Sequence, residues 1–271
     1  MPLKNTTDPR IISREGIYMD ISSLLKIIET SKIAAHKDFI RQAVRPAVDI
    51  IKNKNAKPTL ACSRFGGMPD LPVGSEWPTH DSIPYRFLGQ INFADIPSND
   101  SCLPTSGLLS LFVSPDNPEE GTPYIFWNDD EHIRAIFIPS PENLAPMSPP
   151  PGFGIENPPA VVLEFYPTID LPFDEYQVDD WPFDFDSEEE KAYDEIRASL
   201  HRSHDYLLGY PTHNSLAYNP ASGKEWVSLL TVGSDWDTLK WYWHDDDYLM
   251  IFIEDEKLRN ADFGFLKSDA G

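Results

Sequence analysis

The apolar positions of the chain change their period near residue 56. Ahead of it they recur at helical spacing, and beyond it they fall into short runs cut by Pro, Gly, Asn and Asp. The stretch Asp20-Ile21-Ser22-Ser23-Leu24-Leu25-Lys26-Ile27-Ile28 opens on an N-cap residue and continues with apolar residues three and four apart, which predicts a first helix. Phe39, Ile40, Val44, Val48 and Ile51 line one face of a second helix predicted from Ala34 to Lys52, kinked at Pro46. Residues 1–55 are thus expected to form a helical arm packed on a main domain spanning 56–271.

Beyond that point the pattern predicts strands at Tyr85–Phe93, Leu108–Val113, Tyr124–Trp127, Ile133–Ile138, Val161–Tyr166, Trp226–Val232 and Tyr248–Ile253. One helix interrupts them, from Ser187 to His201, opened by the capping box Ser187-Glu188-Glu189-Glu190. The fold class is α+β, dominated by antiparallel sheet. Its order of elements recurs. Gly67-Met68-Pro69 precedes Gln90 by 23 residues, and Gln90 precedes Gly107 by 17; Gly209-Tyr210-Pro211 precedes Thr231 by 22, and Thr231 precedes Asp247 by 16. This spacing predicts an internal duplication, with pseudo-repeats at about 60–140 and 204–265.

Composition narrows the function. Lys and Arg number 22 against 44 Asp and Glu, a formal charge of -22, which opposes binding to nucleic-acid phosphates and favours basic partners. The two cysteines, Cys62 and Cys102, sit in no metal-binding spacing and are read as free, buried thiols. No apolar run has the length of a membrane span or the form of a signal peptide, so a cytosolic protein is expected.

The segment SRFGGMPDLPVGSEWP, followed by RFLGQINFADIP and LPTSGLLSLFV, resembles the YwqG-like family of uncharacterised bacterial proteins. His204-Asp205-Tyr206-Leu207-Leu208-Gly209-Tyr210-Pro211 and LLTVGSD resemble the same family, and the likeness runs from about Ala56 to Phe265. The resemblance implies an α+β fold with a duplicated sheet, no established catalysis, and an immunity or accessory role beside secreted toxins. The chain departs from the family where Thr231 replaces a Gln and where Trp243-His244-Asp245-Asp246-Asp247 lacks both turn glycines.

Three constellations are candidates for chemistry. Strand alternation, with Phe87, Gly89, Ile91 and Phe93 facing the core, sets Gln90 and Asn92 on the opposite face with Leu88. There they either line a small ligand pocket with Arg64, Glu76 and Trp77 or hydrogen-bond the turns around Pro69 and Pro97. The run Leu171 to Glu190 interleaves aromatic residues with carboxylates and holds no basic side chain. Its Asp174, Glu175, Asp179, Asp180, Trp181, Phe183 and Asp184 either form an acidic docking surface or pin a solvated loop. Asp235, Asp237, Asp245 and Asp247 either bind a cation or cap a hairpin turn.

His201, His204 and His213 cluster in sequence without a third ligand, and His204 is read as a helix cap. No GxSxG, P-loop, GxGxxG or HExxH motif occurs, and no cofactor is expected. The function expected is a non-enzymatic, immunity-type protein that binds a basic partner such as a toxin, without contact to nucleic acid or membrane. The alternative is a small-ligand or metal-binding module, or a hydrolase.

Overall fold

The computed structural model describes residues 19–80, 82–97, 101–114, 131–151, 158–212, 218–220, 225–243 and 246–270. The expected strand at Tyr124–Trp127 and the residues His213, His244 and Asp245 lie outside this set. The first helix, α1 (Ile21–Glu29), begins where Asp20 accepts the Ser23 N–H at 2.7 Å, and buries Leu24 and Ile28. A single turn at Ala34–His36 leads into α2 (Lys37–Ala43).

The second predicted helix is corrected beyond Ala43. Residues Arg45–Asn53 form a strand, β1. Pro46 disfavours helical backbone at Arg45, and Val44 turns extended at ψ 132. Ala47, Val48, Asp49 and Ile50 are all buried, because β1 lies inside the sheet with both faces covered. A strand buried on both faces loses its alternation and imitates helical spacing.

After β1 come β2 (Arg64–Phe65), β3 (Asp70–Pro72), β4 (Thr79–His80), β5 (Ile83–Pro84), β6 (Arg86–Asn92), β7 (Leu108–Val113), β8 (Ile133–Ile138), β9 (Leu144–Pro146) and β10 (Val161–Asp170). Then follow α3 (Glu188–Ala198), β11 (Tyr206–Leu208), β12 (Trp226–Gly233), β13 (Tyr248–Glu254), α4 (Asp255–Arg259) and β14 (Lys267–Ala270). Ser187 caps α3 by accepting the Glu190 N–H, as the capping box predicts.

Among the described residues, ten strands make one antiparallel sheet in the order β14-β13-β12-β11-β1-β10-β2-β6-β7-β8. The pair β1 and β10 is its centre, and two four-stranded wings flank it. The wings repeat each other. Arg64 pairs with Gln90 as Tyr206 pairs with Thr231, and Asn92 pairs with Leu108 as Gly233 pairs with Tyr248. The Asn92 N–H donates to Ser63 Oγ at 2.8 Å where the Gly233 N–H donates to Asp205 Oδ1 at 2.9 Å. Gly66 and Gly67 take left-handed φ of 65 and 70, and Leu208 and Gly209 take 61 and 69. Both register breaks also match, between Phe87 and Gly89 and between Ser228 and Leu230.

The first of these bulges corrects the predicted alternation. It turns Leu88 into the main core with Ile91 and Phe93, and leaves Phe87 on the other face against Phe112 and Trp77. The main core lies where the wings face each other, with Phe65 against Trp241 at 5.1 Å and Phe93 and Phe137 both against Phe263. A second cluster packs α1, α2 and α3 over the Ile169 and Leu171 end of the sheet. Cys62 and Cys102 are free thiols, but half-buried rather than buried.

Candidate functional site

The Gly66 to Pro78 stretch bends the chain so that Arg64, Asp70 and Gln90 meet. With Gly66 and Gly67 both left-handed, the backbone passes close against the segment before β10. A Cβ on Gly66 would lie 2.6 Å from the Pro159 carbonyl, and one on Gly67 would lie 2.7 Å from Ala160 Cβ. The reversal brings Arg64 Nη1 to 2.7 Å from Asp70 Oδ2 and lets Nη2 donate to the Met68 carbonyl. Gln90 locks the turn from the neighbouring strand. Its Oε1 accepts the Asp70 N–H at 2.9 Å, and its Nε2 donates to the Cys62 carbonyl at 2.9 Å and to Asp70 Oδ2 at 3.1 Å.

Burial pushes the Asp70 carboxyl up, but hydrogen bonds from Arg64, the Ala61 N–H and Gln90, with the Arg64 charge, hold it below its ordinary range. Above this pair opens a pocket of about 500 Å³, walled by Pro58, Leu60, Met68, Pro146 and Pro159 and floored by Arg64 and Asp70. Such a volume is within the range of small-ligand sites. Gln90 is fully buried beneath the floor rather than lining it, and Asn92 donates to the Ala61 carbonyl at 3.0 Å. Trp77 and Glu76 are placed elsewhere. The Trp77 indole donates to the Tyr85 carbonyl at 2.8 Å and packs on Phe112, while Glu76 is exposed.

The acidic aromatic run divides in two. Phe183 is buried and Trp181 half-buried, both packed on Tyr193 and Phe39, so these two pin the loop to the helices. Gln177 ties it down further, donating to the Pro211 carbonyl at 2.5 Å and accepting the Phe173 N–H at 2.7 Å. Glu175, Asp179, Asp180 and Asp184 are exposed, and Asp174 is half-buried, its carboxyl raised chiefly by that burial. Phe173, Tyr176 and Phe185 stand in solvent with them.

The described Asp residues of the second wing, Asp235, Asp237 and Asp247, are engaged separately. Among the described residues no group of three His, Cys, Asp or Glu side chains is placed to hold a metal ion. Asp235 takes Lys52 at 3.2 Å and accepts the Thr238 N–H at 2.8 Å, Asp237 is exposed, and Asp247 is buried. Lys52 also meets Asp205 at 2.9 Å. Burial lowers its pKa, and the two carboxylates more than restore it, above the ordinary lysine value.

One buried cluster escaped the sequence reading. His201 Nδ1 lies 2.7 Å from Asp49 Oδ1, and its Nε2 lies 3.1 Å from Asp170 Oδ1, within ion-pair reach but off the line of a hydrogen bond. Burial alone would lower the imidazole pKa; the Asp170 charge and the contacts with Asp170 and Asp49 outweigh it and lift it to about 9. His201 is therefore an imidazolium held between the two central strands. A signal existed. Asp49 and Asp170 each interrupt an apolar run, VDII and TIDLP, and a carboxylate buried in such a run needs a partner.

A family model described as a domain of unknown function, DUF1963, matches residues 63–265. The chain belongs to this family. In its DUF1963 domain the match starts one residue before Arg64 and spans the pocket floor, the acidic run and His201, whereas β1, with Asp49 and Lys52, precedes it. A comparison with curated proteins found no match.

Proposed function

We propose that this DUF1963 protein is a non-enzymatic, cytosolic, YwqG-like protein of the immunity or accessory type, which binds a basic protein through its acidic aromatic loop. One observation carries the reading. Phe185 is 93 % exposed, yet the turn that projects it is braced. The Ser187 N–H donates to the Asp184 carbonyl at 3.1 Å, the Asp186 N–H donates to Glu190 Oε2, and Lys191 pairs with Asp186 at 2.9 Å. A large apolar ring held in water between Asp184 and Asp186 has the form of an interface anchor flanked by charges that pair with Arg and Lys. The net charge of -22 adds long-range attraction for a cationic partner, and no described helix is long and apolar enough to cross a membrane.

The test is capture of partners from the host lysate by tagged wild type and by Phe185→Ser, washed at low and then high salt. A basic protein held by wild type, released at high salt and missed by Phe185→Ser is the expected result. Capture that is equal for both forms, or indifferent to salt, overturns the reading. Phe185 is exposed and has no aromatic partner among the described residues, so the variant is expected to fold.

A further inference from the structure

We propose that the pocket over Arg64 and Asp70 is a binding site for a neutral amide group carried on an apolar body. Arg64 is 4 % exposed and Asp70 1 %, so the pocket ends on a desolvated ion pair. The pair is incompletely used. Nη1 and Nη2 engage Asp70, the Cys62 carbonyl and the Met68 carbonyl, while the Nε–H and the second Nη2–H meet no acceptor among the described residues. On the partner, three donors converge on Asp70 Oδ2 and none reaches Oδ1 among the described residues. The floor thus offers a donor and an acceptor whose charges cancel.

That combination selects its ligand. A carboxylate would meet the Asp70 charge and the field of a chain at -22, and an ammonium would meet the Arg64 charge. An amide satisfies both halves at once, its carbonyl accepting from the guanidinium and its N–H donating to Oδ1. The proline, Leu60 and Met68 walls supply the apolar surround that such a ligand needs for its remaining bulk.

The second wing shows that the scaffold alone does not demand this opening. Tyr206 stands where Arg64 stands, and its one O–H donates to the Tyr210 carbonyl at 2.7 Å, as Arg64 donates to Met68. Tyr210 stands where Met68 stands, but its ring is buried and its hydroxyl donates to the Ala43 carbonyl at 2.7 Å. Met68 is 40 % exposed. The same turn is filled in one repeat and left open over unused polar atoms in the other.

Calorimetric titration of the full chain tests this with three probes: N-acetyl-leucinamide, 4-methylpentanoic acid, which has the same apolar tail and no amide, and an end-blocked tripeptide with leucine at its centre. The amide is expected to bind about tenfold or more tightly than the acid, since a buried donor and acceptor reject a ligand that leaves one unpaired. Met68→Trp, which fills the pocket from its exposed wall without touching the ion pair, is expected to weaken amide binding about tenfold at an unchanged melting temperature. Arg64→Lys, which keeps the charge and loses the planar donors, is expected to weaken amide binding as well, with some loss of stability because the bonds to the Cys62 and Met68 carbonyls are not both replaced. A tripeptide preferred about tenfold over the single amide identifies a peptide segment as the natural source, and equal affinity identifies a small free amide; both agree with the proposal. No binding of either amide probe, preference for the acid, or amide binding undiminished in Met68→Trp overturns it.

Discussion

At the position after Ser63 one wing of the sheet carries Arg64; at the matching position after Asp205 the other carries Tyr206. Both side chains reach forward over a left-handed turn to the carbonyl four residues on. What differs is the number of polar groups left over. Tyrosine has a single donor and finishes the contact, so the second wing closes over Tyr210 and stacks Arg45 on that ring at 3.9 Å. Arginine has five and brings a charge, so the first wing needs Asp70 beneath it and remains open above. Identical backbone geometry thus yields a sealed turn in one repeat and a polar-floored pocket in the other.

The largest expected effect tests that asymmetry through stability. Arg64→Ala removes one member of a buried ion pair and strands Asp70, so a loss of about 3–5 kcal/mol is expected in urea unfolding. The double variant Arg64→Met/Asp70→Leu, which strands no charge, is expected to recover part of it. A single variant as stable as wild type breaks the account of the first wing.

Next in size is the charge clamp at the centre. His201 titrates at about 9 in the fold against 6.5 as its ordinary value, so the folded state binds its proton more tightly than the unfolded chain does. Its contribution, on the order of 3 kcal/mol, is complete below pH 6.5 and lost as pH rises through 9. Urea midpoints measured between pH 6.5 and 9.5 are expected to fall, and His201→Gln is expected to flatten that fall. The neighbouring Lys52 cation, raised above its ordinary value by Asp205 and Asp235, stays charged across this window and separates the two clamps.

A third comparison sets Gly66 against Leu208, which share a left-handed conformation. The second wing accommodates a side chain there, but a Cβ at Gly66 would meet the Pro159 carbonyl at 2.6 Å, an atom of the backbone that cannot swing away. Gly66→Ala is expected to cost about 2–3 kcal/mol, more than left-handed strain alone. An alanine tolerated at Gly66 would show that the first turn has as much room as the second.

These effects also mark what the sequence discloses. The strands Leu108–Val113 and Ile133–Ile138 were legible to the residue, because each run is apolar and bounded by polar or turn-forming residues. The duplication was legible from the spacing of Gly67, Gln90 and Gly107, since a short strand of two or three residues and a matching bulge keep nearly the same spacing in both wings. Three features were hidden. β1 was read as helix because burial on both faces erased its alternation, and the Leu88 bulge reversed a face that strict alternation assigned. The clamp joins Asp49, Asp170 and His201 across 152 residues of sequence, brought together where β1 pairs with β10 and the segment leading into β11 is held against both by Thr168 and Asp49. Of the pocket floor, the sequence discloses Arg64 but not Asp70, the carboxylate at the head of β3, and Gln90, expected to line the pocket, lies beneath it.

The smallest expected effect sharpens the comparison most cleanly. Tyr206→Phe removes one O–H whose acceptor is the Tyr210 carbonyl and leaves the ring, its packing and its 4.7 Å contact with His201 in place. A neutral hydrogen bond of this kind contributes about 1 kcal/mol, and the carbonyl left behind is buried. If the bond closes the second wing as Arg64 closes the first, amide exchange along β11 is expected to quicken while the Arg64 pocket keeps its affinity for N-acetyl-leucinamide. The converse, a Tyr206→Phe variant that loses amide binding in the far wing, would mean that the two turns are coupled through β1 and β10 and do not function as independent copies of one motif.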